Sequence, residues 1–372
     1  PGDLHQPTTS AKPPSARSPP PPTPSPPDPS AALAARLAAG PIAIRQLFLD
    51  GVYEAEVESW LRLADAAAPA LRAGRTPPAV PTRVLHQDSL QPWARGVVWD
   101  CRDPAACTPV ERSTRDTTFP SRPDGRPSRQ VDRAALRRIA AELDWHDDDI
   151  VSQIGEGGVE VRSQCPLDIV LAFHHLGLRD NIAPAAKVVE ADWAEGWVDR
   201  PVRHLPFVPC RILPRNVVFQ ERSRLVPDPA GGAPTVELYP KPRVTTDASF
   251  GDDDSVNAGV DPEDRFVHLP SIQQHARGLA IVDTAGGRAH RAASYVVDAE
   301  SAYRFCPVQH ADLWTQCFLW WEADGTAGFC IDRRLCFGGA FAPNRFERIS
   351  TLVAAHIQAK QAAFDAPADS TS

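Results

Sequence analysis

The chain has 372 residues, of which 42% are hydrophobic and 23% charged, with a formal net charge of −8. This is the composition of a globular protein long enough for two or three domains, at least one with a sizeable core. The absence of any run near 18 apolar residues argues against a membrane span, and the acidic balance argues against nucleic-acid binding by the whole surface.

Taken in chain order, residues 1–30 contain SPPPPTPSPPDPS, which cannot build a core and reads as a disordered, Pro-rich linker. Residues 31–74 are alanine-rich with Val52, Val57, Trp60 and Leu61 at helical spacing, an upstream helical segment. Residues 75–128 turn to Pro, Arg, Asp, Ser and Thr and read as a mostly irregular linker. Asp132 is placed to cap a helix carrying Leu136, Ile139, Ala140 and Leu143. In DWHDDD (144–149) a metal reading competes with a helix end succeeded by a new Asp-capped start, and the second is preferred. A further helix is expected over 166–176, stopped by Gly177, with His174 and His175 near its last carbonyls, and another over 184–193. Residues 129–199 are thus expected to form a helical region that packs on the strand-rich segment beyond Arg200.

After Arg200 the period changes. NVVFQERSRLV (216–226) and TVELYPKPRVTTDASF (235–250) flank PDPAGGAP and predict a hairpin. SYVVDA (294–299) predicts a strand, and TQCFLWW and AGFCID, joined by EADGT, a second hairpin. A long helix over 343–364 would carry Phe346, Ile349, Val353 and Ile357 on one face. Strands mixed with helices, without βαβ alternation, indicate an α+β class.

Eight cysteines include no C-x-x-C pair and fit no zinc module, so the expected compartment is reducing and intracellular. No charged-then-apolar leader opens the sequence. Methionine is absent even at position 1, and the basic residues are nearly all arginine. The first fact suggests a fragment of a longer reading frame; the second reflects GC-rich coding.

Three segments carry chemistry in order: YPKPRVTTDASFGDDDSVN (239–257), VVDAESAYRFCPV (296–308) and CFGGAFAPNRFERIS (336–350). Together they resemble the fingers and palm of a retroelement reverse transcriptase, over roughly residues 200–372. The resemblance implies a right-hand polymerase fold with fingers and a partial palm. Asp298 ends an apolar strand, where a rigid carboxylate can hold metal. By the resemblance, Asp298 is the first catalytic carboxylate and, with Ala299, a ligand of two Mg²⁺ ions. Alone, a strand-end Asp reads more readily as a turn residue, and it is the neighbouring segments that favour the metal reading. Tyr303, in D-x-x-x-A-[YF], would floor the sugar and reject a ribose 2′-hydroxyl; its bland alternative is a core aromatic in a tight turn. By the same resemblance Arg243 would reach the triphosphate of the incoming nucleotide through the planar fork of its guanidinium, with Lys241 a weaker second candidate.

In F-G-x-x-x-x-P-x-x-F, Gly338 would allow close approach to the nascent pair, and Pro343 would open the long helix beside the template. Cys336 stands where the family more often has proline. Asp247 and Asn257 are expected to hold backbone, and the triple Asp at 252–254 to face solvent. Arg200, Arg203, Arg211, Arg215, Arg222 and Arg224, interleaved with Phe207 and Phe219, fit a single-stranded template track. They fit an arginine-rich solvated surface equally.

The family's second catalytic element, [YF]-x-D-D downstream of the long helix, does not occur after Phe346. One carboxylate cannot hold two metals, so this chain by itself is expected not to polymerise. The expected partners of the complete enzyme are a template-primer and deoxynucleoside triphosphates, with no membrane. The alternatives are a non-catalytic palm remnant or nucleic-acid-binding module, and an RNA-dependent RNA polymerase-like palm.

Overall fold

The structure is a computed structural model that describes residues 54–85, 129, 131–207, 209–229, 231–267, 273–274, 276–277, 280–281 and 301–365, with 362–365 as backbone only. The Pro-rich linker, residues 31–53 with Val52, all of residues 86–128, and the expected strand 294–299 with Asp298 and Ala299 lie outside the described residues. No described helix is long and apolar enough to cross a membrane.

Helices combine with a mixed sheet, an α+β arrangement. The sheet has five strands in the order β1 (Arg83–Leu85), β2 (Ile169–Leu171), β3 (Cys210–Ile212), β6 (Cys317–Trp321) and β7 (Ala327–Ile331). β2, β3 and β6 run parallel to one another, whereas β1 and β7 pair antiparallel at the two edges. The central strands IVL, CRI and CFLWW and the edge strand AGFCI are buried along their whole length, so they read as continuous apolar runs without alternation. β4 (Arg215–Val226) and β5 (Thr235–Thr246) form a separate two-stranded ribbon. Both expected hairpins are therefore present.

Helices cover the sheet. α1 (Glu54–Arg72) packs against β7 through Trp60, stacked on Phe329 at 6.2 Å. Trp321 donates to the carbonyl of Ala64 at 3.0 Å, and Asp65 accepts from the Ala327 N–H. α2 (Arg133–Glu142) is capped by Asp132, whose carboxylate accepts from the Ala135 N–H, and α3 (Asp148–Glu156) is capped likewise by Asp147. DWHDDD is thus a helix end and a helix start. α4 (Leu176–Arg179) is a single turn, and α5 (Ile182–Ala194) lies against β5. Two more single turns, α6 (Val256–Gly259) and α7 (Pro262–Arg265), lead away from the ribbon. α8 (Phe341–Asp365) packs on α2 and α3. Its buried face is Phe341, Ala342, Arg345, Ile349 and Leu352, whereas Val353 is 40% exposed. Of the expected face, Ile349 is buried and Phe346 packs half-buried against the core, whereas Val353 turns outward.

The helix expected over 166–176 is corrected. Ile169–Leu171 is a strand, and only the single turn of α4 comes after it. Three β-branched or bulky residues flanked by partners on both sides gain more from a parallel ladder than from one helical turn. His174 accordingly sits in the core at 2% exposure, its Nδ1 accepting from the Arg215 N–H and its other ring nitrogen donating to the Leu319 carbonyl. Those bonds fix one neutral tautomer. The six described cysteines are free and buried.

Burial, with the nearby Arg215 cation second, lowers the His174 imidazole from 6.5 to about 3. A group whose folded value is depressed this way stays neutral while the unfolded chain takes up a proton, so stability is full above pH 6.5 and falls as pH drops. The slope from this one group approaches about 1.4 kcal/mol per pH unit. Thermal melts between pH 7 and 4.5 should show this loss, and His174→Gln should remove about one proton's worth of slope.

Candidate functional site

The three segments singled out in the sequence converge at the root of the ribbon. β5 delivers Arg243 to Thr246; the Thr246 N–H donates to the Phe337 carbonyl at 2.7 Å. The next residue, Gly338, has φ +122°, and a Cβ there would collide with the carbonyl oxygen of Thr246. Glycine is required at this crossing by both space and backbone conformation. Asn257 locks the arrangement. Its Nδ2 donates to the Gly338 carbonyl at 2.9 Å and to Ser249 Oγ at 2.8 Å, and its Oδ1 accepts from the Ala340 N–H at 2.7 Å. Asp247 Oδ1 accepts from the Ser249 N–H, while its other oxygen lies 2.8 Å from His175 Nε2. Both side chains hold local structure, and Asp252–Asp254 form an exposed single turn.

Tyr303 lies in a short 3₁₀ turn, Ala302–Phe305, entered through Ser301 in the left-handed region at φ +58°. Its ring packs 5.1 Å from Phe337 and 5.7 Å from Phe346, and partial burial raises the phenol above its ordinary value. The Arg243 guanidinium lies 5.7 Å from the Phe337 ring centroid. Phe337 therefore touches both the cation of β5 and the aromatic of the turn. Arg243, Tyr303 and Gly338 come together; Pro343 is half-buried in the first turn of α8.

A cleft of about 660 Å³ opens beside this cluster, between α5, the ribbon, Ser301 and Phe337. Six cationic side chains line it, Arg129, Lys187, Arg215, Lys241, Arg243 and Arg304, against the carboxylates Asp192, Glu195 and Asp332. Arg243 and Lys241 have no carboxylate partner among the described residues, and Arg243 makes one long contact, Nε to Gln220 Oε1 at 3.4 Å. In register, Arg222 opposes Tyr239, Gln220 opposes Lys241 and Val218 opposes Arg243. Antiparallel partners share a face, so Arg222, Arg224, Lys241 and Arg243 make one basic face of the ribbon.

Of the other arginines of the expected track, Arg211 and Arg215 are buried, and Arg200 and Arg203 are engaged by neighbouring side chains. Arg211 is 2% exposed inside the central strand β3, donating to the Pro166 carbonyl at 2.8 Å. Arg215 is 3% exposed, with its Nη2 2.7 Å from Asp332 Oδ2 and its guanidinium 3.4 Å over Phe318. Arg203 pairs with Glu58 and Asp65, Arg200 stacks on Trp193, and Phe207 is buried. Apart from Arg200, the solvent-facing track reduces to the ribbon, because the sheet and α1 supply the carboxylates and carbonyls that engage Arg203, Arg211 and Arg215.

The described residues alone make no magnesium cradle. No three His, Cys, Asp or Glu side chains among them converge on a point. Asp332, which lines the cleft, has both oxygens engaged by Arg215, Arg304 and the Arg334 N–H. The expected ligands Asp298 and Ala299 lie outside the described residues. Asp332 and Arg304 are the residues that sequence reasoning passed over. Asp332 ends the apolar strand AGFCI as Asp298 ends YVV, and that shared pattern was the available signal.

No family model, no curated protein and no solved structure matches the chain. The site is therefore read from its own chemistry and from the order of its motifs.

Gly338→Ala tests the crossing of Phe337-Gly338 over Thr246. The backbone conformation alone should cost about 1–3 kcal/mol, with the collision adding to it. A drop in melting temperature is expected, together with loss of protection at the Thr246 amide.

Proposed function

We propose that this chain is the fingers and part of the palm of an RNA-directed DNA polymerase, and that its cleft receives the incoming deoxynucleoside triphosphate. The observation that carries the reading is the meeting of Arg243, Tyr303 and Phe337-Gly338 beside one cleft, which Arg243 and Phe337 themselves line and against which Tyr303 is set through Phe337. These residues come from three segments separated by up to about ninety positions, and each was singled out for a different contact with the same ligand. An excess of cations lines the cleft, which suits a triphosphate. Arg243 would fork onto phosphate oxygens, Lys241 would add a point charge, and the Tyr303 ring would lie where a 2′-hydroxyl has no room. Thr246, Gly338 and Asn257 hold Arg243 and Phe337 at a fixed spacing, so little order is lost on binding.

Two Mg²⁺ ions, when bound, would neutralise the triphosphate and activate the primer hydroxyl; Asp298 and Ala299 are this chain's proposed share of the ligands, short of the second carboxylate element that two ions need. A template-primer would run along the basic face of the ribbon, past Arg222 and towards Pro343.

The test is titration of the chain with a fluorescent deoxynucleoside triphosphate in magnesium buffer. Arg243→Ala should weaken binding about 10- to 100-fold, the loss of a charge-assisted hydrogen-bond pair. Tyr303→Ala should narrow the preference for deoxy over ribo nucleotides and, in a polymerising form of the protein, raise ribonucleotide incorporation. Wild-type binding in Arg243→Ala would remove the reading.

A further inference from the structure

Four charged side chains from four different elements meet at the floor of the cleft. Arg215 opens β4, Arg304 is next to Tyr303 in the turn, Asp332 succeeds β7, and Asp192 lies in α5. Asp332 Oδ2 accepts from Arg215 Nη2 at 2.7 Å, and its Oδ1 accepts from Arg304 Nη1 at 2.6 Å and from the Arg334 N–H at 3.2 Å. The second arm of Arg304 donates to Asp192 Oδ2 at 2.8 Å. Side-chain exposures are 4% for Arg215, 7% for Arg304, 2% for Asp332 and 15% for Asp192.

Two cations and two carboxylates cancel, so the group is no anion site. Nor is stability a sufficient reason for it, since apolar side chains of similar volume commonly replace such buried pairs without loss. What directional bonds supply and apolar packing does not is a fixed distance and angle between the elements they join. Here the joined elements are the root of the ribbon bearing Arg243 and the turn bearing Tyr303. Arg215 pairs in register with Thr246, three residues beyond Arg243, and Arg304 is the neighbour of Tyr303.

We propose that Asp332 is a positioning residue: by bridging Arg215 and Arg304 it sets the spacing between the phosphate-facing strand and the sugar-facing ring, and thereby the deoxy-over-ribo preference. The preference arm rests on the nucleotide reading proposed for the cleft, whereas the coupling of the two elements does not. Asp332 itself touches no ligand. Asn at the same position keeps the shape but turns an N–H₂ towards one guanidinium, and Leu at both carboxylates with Met at both arginines keeps the volume without the bonds or an unpaired charge.

The experiment combines amide hydrogen exchange on the full chain with titration by fluorescent 2′-deoxy and ribo adenosine triphosphates in magnesium buffer. In Asp332→Asn the amides of Thr246, Arg304 and Cys306 should exchange at least about tenfold faster, with those of Leu319 and Phe329 unchanged. The ratio of deoxy to ribo affinity should fall by about the same factor. The fourfold variant Asp192→Leu, Arg215→Met, Arg304→Met, Asp332→Leu, which leaves none of the four charges unpaired, should keep the melting temperature and still lose both the local protection and the preference. Unchanged protection at both roots, faster exchange throughout the sheet, or a fourfold variant with wild-type preference would each overturn the proposal. Failure of both variants to fold would assign Asp332 a structural role and overturn it too. If the wild-type protein binds neither nucleotide, the nucleotide reading fails, and the exchange pattern still decides whether Asp332 couples the ribbon to the turn.

Discussion

Asp332 is 2% exposed and accepts from two arginines that arrive from segments nearly ninety residues apart, Arg215 at the root of the ribbon and Arg304 in the Tyr303 turn. Such a carboxylate must be fully bonded, because stripping water from it costs several kcal/mol that only close, well-aligned donors offset. Removing either arginine would leave the other charges uncompensated, so the three residues stand or fall together. The surrounding packing obeys this constraint. Phe318 lies flat under the Arg215 guanidinium at 3.4 Å, and His174 must stay neutral beside it, its own protonation opposed by burial and by that same cation. The core beneath the cleft is thus organised around charge that cannot move.

Above this floor, order is passed on by backbone bonds more than by side chains. The Thr246 N–H meets the Phe337 carbonyl, Gly338 leaves room for the crossing, and Asn257 bonds to both Gly338 and Ala340. A single residue, Phe337, then carries the contact between Arg243 and Tyr303. A cation against a ring edge or face at this distance is worth about 0.5–1 kcal/mol, too little to fix Arg243 in place. Arg243 is steered at its base by the locked strand and left free at its tip, which is the arrangement a side chain needs if it is to close on an arriving ligand.

What could be read in the sequence was what strict local patterns report. Both hairpins were legible because apolar and β-branched runs flank Gly-rich turns, and Asp132 because a cap precedes helical spacing. Residues 166–176 were misread because three residues, Ile169–Leu171, are too few to distinguish a buried strand from a helical turn, and only partners on both sides made them a strand. The arginine track failed in part for a different reason. Residue type reveals charge but not direction, and Arg211 and Arg215 point into the sheet where carbonyls and Asp332 await them. Of the candidate site, Arg243, Tyr303 and Gly338 were legible from motif order. Asp332 was not, although AGFCID ends in a carboxylate much as SYVVD does, because its partners lie far away in the chain.

The ribbon shows how much depends on its root. In register, one face presents Val217, Phe219, Leu225, Val236, Leu238 and the two prolines Pro240 and Pro242, and the other presents Arg222, Arg224, Lys241 and Arg243. Leu225, Val236 and Leu238 are 60–69% exposed, so the distal half has no core of its own. A two-stranded ribbon in water is marginal by itself, and both of its edges are open. Charged side chains along those strands, Glu221, Arg222, Arg224 and Glu237, discourage pairing with another chain, and Arg224 bonded to Glu237 at 2.8 Å ties the two strands across their basic face. That restraint is local and exposed, worth little in stability. The ribbon's direction is therefore inherited from Arg215 and Thr246 at its base, and any ligand gripped by Arg243 pulls against a lever whose fulcrum is the buried Asp332.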